Sequence, residues 1–349
     1  MLKVLGFSLY GPQAASHRVR LSQFQPGLAA AGIDLQIQSL LDDAYLQRSF
    51  SGRSPSLRAL LASYGRRLQA LHQADFDLAI IYAELLPLIP AWLESQLLHL
   101  PYIFDLDDAF HLKYRTGRLN WLSLPLGGKI DRLMAGAVAI TAGNQHLAAI
   151  AQRFNPNVTL LPSVVNTDVL RPAPRAPAAA PFTVGWIGSP STAPYLQLLV
   201  EPLQLLSLEQ PVRLLVIGAP APAVAGVEVI QQPWSLEQEP ALIQQCDVGV
   251  MPLPDTSWAR GKCAYKLIQC LACGIPVVAS PVGANIDVVH PSCGILAGST
   301  CEWLVAFRQL SADPALRVRL GTTGRRMVEE RYSVRSALPV LEGVIQNAI

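Results

Sequence analysis

The chain has 349 residues, 51% hydrophobic and 15% charged, which supplies a large core and excludes a disordered polypeptide. At about 100–200 residues per domain, this length predicts two domains. Its 27 basic and 25 acidic residues leave a net charge of +2, too small a surplus for a dedicated binder of nucleic acid.

The N-terminus reads MLKVLGFSLYGPQ. One lysine and a short apolar stretch broken by Gly and Pro do not make a signal peptide. No run of about 18 uncharged apolar residues occurs. The nearest, residues 78–93, carries Glu84, Pro87 and Pro90. The expectation is a cytoplasmic protein, with peripheral contact at the inner face of a membrane left open.

Short apolar runs at 2–8, 78–82, 102–105, 137–141 and 158–161 read as strands of a sheet covered on both faces. Helical patterns at 17–31, 55–72 and 145–153 alternate with them, the second with Ser54 as N-cap and Pro55 at the first helical position. Residues 172–181, PAPRAPAAAP, break the pattern and read as a linker. Strands then recur at 182–187, 213–217, 227–230, 248–251, 275–279 and 294–296. Helices are expected at 193–208, 236–245, 262–273, 301–310, 314–331 and 334–347. The fold expectation is α/β: two Rossmann-like, doubly wound domains, 1–171 and 182–332, facing across a cleft. In such sheets ligands sit beyond the carboxyl ends of the strands.

All six cysteines fall late, and Cys270 and Cys273 form a CxxC. A zinc site needs a second ligand pair at similar spacing, and none is evident, so these two read as small core residues and no metal is expected.

Three constellations carry possible chemistry. The first lies in PLPDTSWARGKCAYKLIQCLACGIPVVASPVGAN, residues 252–285. On a helix over 262–273, Lys262, Lys266 and Gln269 are spaced i, i+4, i+7 and share one face. Two cations near a helix start oppose its dipole, a conflict that a bound anion such as a diphosphate removes. The alternative is a solvated basic face, although these are two of only five lysines in the chain. The second is PYIFDLDDAFH, residues 101–111. Asp107 and Asp108 are adjacent, so a regular strand cannot point both the same way, whereas Asp105 and Asp107 share a face if the strand continues. The alternative is a capping cluster before a helix at 109–114, with His111 structural. The third comes after the first strand: Gly11, Ser16, His17, Arg18 and Arg20. Arg18 and Arg20 diverge on a helix, so one can reach the cleft while the other pairs on the surface; the loop and helix start suit an anion or the donor sugar, and Arg18 is the candidate, with a structural role as its alternative. Trp186 reads as core and Trp258, in a polar loop, as functional.

The segment ending LIQCLACGIPVVASPVGAN resembles the donor-site signature of GT-B glycosyltransferases, in particular glycosyltransferase family 4, which runs through EAMACGxPVVAS. The resemblance extends over nearly the whole chain. YGPQAASHRVR is similar to the family's Gly-rich N-terminal loop, and NPNVTLLPSVVNTDVLRP to its run into the linker. FTVGWIGSPST is similar to the first strand of the donor domain and CDVGVMPLP to the strand before the donor helix. GRRMVEERYSVRSALPVLEGVI is similar to the C-terminal helices, the last of which, about 333–349, is expected to pack back on the first domain.

Departures accompany the likeness. Of two family glutamates that contact the donor sugar, one falls on Gln269 and the other on Gly261. The Arg/Lys pair that grips the diphosphate is replaced by Ser189, Pro190, Ser191 and Thr192 after Gly188. Lys262 and Lys266 are inferred to supply that charge, helped by backbone N–H groups. The resemblance places Gly283, Ala284 and Asn285 near the donor, Asp107 at the family's catalytic His and Asp108 at the Asp next to it. It implies transfer of a sugar from a nucleotide-diphosphate donor to an acceptor hydroxyl with retention, no metal and no other cofactor. An Asp-x-Asp metal motif belongs to a different fold, GT-A. The acceptor, a glycan, a lipid-linked precursor or a small molecule, stays open. Two alternatives also remain: a nucleotide-sugar epimerase of the same fold, or a non-catalytic homologue that binds sugar nucleotides.

Overall fold

A computed structural model describes residues 1–50, 56–72, 75–174 and 181–349. Contacts divide the chain into two units. One comprises Met1–Ser163, Gly261–Cys263 and Ala337–Ile349, the other Val164–Arg260 and Ala264–Ser336.

The first unit is built on six parallel strands: β1 (Leu2–Tyr10), β2 (Ile33–Leu41), β3 (Leu78–Tyr82), β4 (Tyr102–Leu106), β5 (Ala139–Ala142) and β6 (Val158–Leu160). Their order is β2-β1-β3-β4-β5-β6. Every residue of β3 is buried, as an apolar run covered on both faces requires. Phe7, Ile81, Phe104 and Ile140 pack with Leu133 and Leu147 of the flanking helices. The strand order reverses between β1 and β3, and the loops at that reversal leave the carboxyl ends of β1, β3 and β4.

Two sequence expectations change here. β2 was not foreseen. The helix expected over 17–31 is broken into Ala15–Arg20, a 3-10 turn Ser22–Phe24, and Gln25–Ala30 with Pro26 in its first turn. The helix expected over 55–72 runs Leu57–Leu71, and its expected cap, Ser54 with Pro55, lies outside the described residues. Gly27 faces Leu338 with no room for a Cβ, which packs the C-terminal residues onto this unit.

The second unit repeats the plan with β7 (Phe182–Ile187), β8 (Val212–Ile217), β9 (Glu228–Gln232), β10 (Val248–Met251), β11 (Val277–Ala279) and β12 (Gly294–Leu296), in the order β12-β11-β10-β7-β8-β9. All pairings are again parallel. Residues 164–171, placed by sequence in the first domain, count with this unit. Val165 bridges to Ser333 and Leu170 sits in its core. Residues 175–180 of the expected linker lie outside the described residues. Cys270 and Cys273 are core, while Cys301 is exposed. Among the described residues no group of His, Cys, Asp and Glu could hold a metal ion, and no helix is long and apolar enough to cross a membrane.

Candidate functional site

In the first unit the chemistry gathers where β4 ends. Asp105, the penultimate strand residue, is 3% exposed. It accepts two bonds from Arg20, Nε at 2.8 Å and Nη2 at 2.5 Å, and a third from the Thr141 hydroxyl at 2.5 Å. Arg20 also donates to the Leu161 carbonyl, so a buried, bidentate and saturated ion pair forms the floor of the site. Burial would lower the Arg20 pKa, but the Asp105 carboxylate overcomes it and raises it.

Arg18 and Arg20 diverge, with Arg20 committed to the buried pair with Asp105. Arg18 stays at the surface and donates to the carbonyls of Pro12 and Gln13, closing its own loop. Gly11 lies against Asp43, where a Cβ would come within 2.6 Å of the carboxylate. Ser16 is half-buried on the same short helix. His17, named in the third constellation without a role of its own, is buried between Ser8, Ser39 and the Tyr10 carbonyl, and burial lowers its pKa.

β4 stops at Leu106, so Asp107 begins the loop and does not share the strand face of Asp105. Part of the residue meets solvent, but its Oδ1 is sealed away with no hydrogen-bond partner. Tyr82, the last residue of β3, is buried, and burial, followed by the Asp107 carboxylate, pushes its hydroxyl pKa well up. Burial pushes the Asp107 pKa up to about 7; Arg20 opposes the rise and Asp105 and Asp108 add to it. A carboxyl poised there can hold or release a proton near neutrality. Asp108 is used differently. Its Oδ1 accepts from the Ala109 N–H at 2.9 Å and its Oδ2 pairs with Lys262 at 3.1 Å. It therefore holds its neighbour's N–H and an ion pair, but no side chain caps the turn that follows. His111 is buried, and it belongs to a 3-10 turn, Phe110–Leu112, in place of the expected helix.

Lys262 departs from expectation. The helix starts at Tyr265, after Ala264 in a left-handed conformation (φ +53°), so Lys262 precedes it and does not share a face with Lys266 and Gln269. Asn144 holds the segment: its amide donates to the carbonyls of Gly261 and Lys262, both at 3.0 Å. Its Oδ1 meanwhile caps the helix Gln145–Ala151 through the Leu147 N–H. Cys263 donates to the Asp107 carbonyl at 2.9 Å and packs in the first unit's core.

In the second unit the site lies at the carboxyl end of β7. Lys266, in the first turn of the helix Tyr265–Ala272, extends along Gly188. A Cβ on Gly188 would come within 2.5 Å of the Lys266 Cε, so glycine is what admits the lysine stem. The ammonium donates to the Thr192 hydroxyl at 3.2 Å and lies 5.0 Å from the centre of the buried Trp186 ring. Ser189 and Ser191 join hydroxyls at 2.8 Å in the same turn. A cation and three hydroxyls thus line the turn that lacks basic residues of its own.

Gln269 is 3% exposed within the helix. Gly283 has φ +55°, and a Cβ there would come 2.6 Å from the Arg260 carbonyl oxygen. Ala284 is buried. Asn285 is buried too, its amide donating to the Ser280 carbonyl at 3.0 Å and more weakly to that of Met251. It braces the turn from within. Trp258 is half-buried. Arg260 is exposed and binds Asp255 through both nitrogens of its fork.

Residues 181–313 match the family model described as glycosyl transferases group 1. The chain is similar in structure to sucrose-phosphate synthase from Thermosynechococcus elongatus, with TM-score 0.73 and 16% identity over 99% of this chain and 98% of that one. HepE of Anabaena, in complex with UDP-glucose, gives TM-score 0.73 and 14% identity over 99% of this chain and all of the other. WaaG, a glycosyltransferase involved in lipopolysaccharide biosynthesis, gives 0.68 and 15% over 98% of this chain and all of that one. No curated protein sequence matches. With two parallel six-stranded α/β sheets and these neighbours, the fold is GT-B.

Proposed function

We propose that the chain is a glycosyltransferase that moves a sugar from a nucleoside-diphosphate donor to an acceptor hydroxyl. The observation that carries this reading is Lys266, laid along Gly188 to reach Thr192 at the carboxyl end of β7. Open α/β sheets bind nucleotides at that end, and the lysine brings positive charge to the turn where the family resemblance expects it. The leaving diphosphate gathers negative charge as the sugar departs, and a fixed cation stabilises that charge more than the ground state. The hydroxyls of Ser189, Ser191 and Thr192 supply further donors.

Asp107 takes the acceptor side, where a carboxyl of pKa about 7 orients the attacking hydroxyl and receives its proton. Retention of configuration and action without a metal follow from the family resemblance. The bound UDP-glucose of HepE favours a uridine donor, and WaaG favours a glycan or lipid-linked acceptor in polysaccharide biosynthesis. Peripheral contact with the inner face of a membrane, from the cytoplasm, is supported by residues 109–130. That stretch exposes two large apolar side chains, Trp121 at 73% and Leu124 at 98%.

A thermal-shift panel of UDP-, GDP-, ADP- and dTDP-sugars tests the donor assignment. One base series is expected to raise the melting temperature, since ligand that binds only the folded state stabilises it. No shift with any nucleotide at millimolar concentration would overturn the reading. Appearance of an epimer of the donor sugar, without acceptor, would replace transfer by epimerisation.

A further inference from the structure

The first unit holds a cavity of about 470 Å³, a volume within the range of small-molecule sites. Its wall comes from the helices Ala91–Leu97 and Lys129–Gly136, from the segment between the first of these and β4, and from Tyr102, the first residue of β4. It therefore lies toward the amino end of β4, whereas the acidic cluster described above gathers at the carboxyl end. The wall is mostly apolar, and it includes Trp92, whose side chain is 56% exposed.

Two hydroxyls of the wall are already committed. Tyr102 donates to the Leu133 carbonyl at 2.7 Å and Ser95 to the Trp92 carbonyl at 3.0 Å. Glu94, also of the wall, is 0% exposed and uses only one of its oxygens. Its Oε1 accepts from the Leu86 N–H at 2.6 Å and pairs with the Lys129 ammonium at 2.9 Å. Its Oε2 is buried with no hydrogen-bond partner. A buried acceptor left unpaired is costly, so a group that satisfies it gains more than an ordinary hydrogen bond. Burial raises the Glu94 pKa to about 7, against the pull of Lys129 and the Leu86 N–H.

We propose that this cavity is a second binding site, which takes an uncharged molecule with an apolar body and a hydroxyl that bonds to Glu94 Oε2. A hydroxyl donates to a carboxylate and accepts from a carboxylic acid, so it serves Glu94 in either form. An ammonium only donates, and it would add a cation where Lys129 already neutralises Glu94 and Arg132 shares the wall. A carboxylate or phosphate would meet the Glu94 charge. The Trp92 ring offers a face to the apolar body. The site depends on neither Lys266 nor Asp107, so it stands or falls apart from the donor and acceptor assignments.

The test is an NMR titration of the whole protein at pH 8, following the Trp92 indole N–H, assigned with Trp92→Phe. The probes are benzyl alcohol and benzyl methyl ether, which share a body, but the ether cannot donate. The alcohol is expected to bind at least about tenfold more tightly than the ether. In Glu94→Gln the amide oxygen is claimed by the Leu86 N–H and Lys129, which leaves the amide N–H₂, a donor, in the place of Oε2. The preference for the alcohol should then vanish. If Glu94→Gln does not fold, Leu98→Trp supplies an independent arm: it fills the cavity from its wall and should abolish the shift with both probes. Equal affinity for alcohol and ether in the wild type overturns the proposal. So does a preference that survives in folded Glu94→Gln, or alcohol binding that survives in folded Leu98→Trp. Binding of neither probe up to its solubility limit overturns it too, and would leave Oε2 to water alone.

Discussion

Replacing Lys266 isolates the charge that the proposed donor site depends on. The side chain has two attachments: its stem lies along Gly188 and its ammonium sits between Thr192 and the Trp186 ring. Lys266→Ala removes both stem and charge, whereas Lys266→Met keeps the stem and removes the charge. A charge-assisted hydrogen bond contributes about 1.5–3 kcal/mol. Lys266 is only partly buried, so solvent screening puts the loss near the lower end, about 1.5–2 kcal/mol. At 1.4 kcal/mol per decade, the Kd for a nucleoside diphosphate should rise about 10- to 30-fold in both variants. The cation–π contact is worth about 0.5–1 kcal/mol and concerns the folded state, so melting temperature is recorded in parallel. Calorimetric titration of UDP at low and high salt is the assay, and the gap between wild type and variant should narrow as salt rises. Wild-type affinity in both variants would refute the reasoning and place the diphosphate elsewhere.

Lys262→Ala should weaken nucleotide binding less than Lys266→Ala in the same titration, because Lys262 is committed to Asp108. Asp107 has a folded pKa of about 7 against an ordinary 3.8. Its contribution to stability is therefore full below about pH 4 and is lost as pH rises through 7. From pH 5 to pH 8, urea unfolding should show wild type losing about 1–2 kcal/mol relative to Asp107→Asn, a figure discounted for the residue's partial exposure. Gly283→Ala would put a methyl against the Arg260 carbonyl at a positive φ, and chemical denaturation should register a loss of about 2 kcal/mol or more. Donor turnover should continue in excess chelator, and its abolition with recovery on adding manganese would contradict metal-free action.

The alternation of elements was legible because most strands are short apolar runs, such as Leu78–Tyr82, whose burial on both faces needs no partner to be recognised. Ile33–Leu41 escaped because it is an edge strand with polar residues at alternate positions, and its signal is period two. The site was legible in part. Lysine scarcity drew attention to Lys266, but its partner Thr192 is 74 residues away in sequence. Lys262 was misplaced because helical spacing was extended back across Ala264. The helix begins only after the left-handed Ala264, and the carbonyls before it are held by Asn144, 117 residues from Gly261. Asn144 carried a readable N-cap signal before Gln145, but nothing local reports its second task. Arg20 was named but its partner was not, for the same reason, since Asp105 lies 85 residues away on β4. Asn285 looked like a ligand-facing polar residue, and only its burial and its bonds to two carbonyls show it to be a brace.

The most direct measurement is release of nucleoside diphosphate by the purified protein from each of a panel of nucleotide sugars, with and without a mixture of candidate glycan and lipid-linked acceptors. The account predicts turnover of one donor series, accelerated by acceptor, with the sugar recovered on an acceptor hydroxyl and the rate reduced in Lys266→Met. A protein that binds a nucleotide sugar tightly but neither cleaves nor transfers it under any acceptor condition would contradict the account and identify a binding protein built on the same fold.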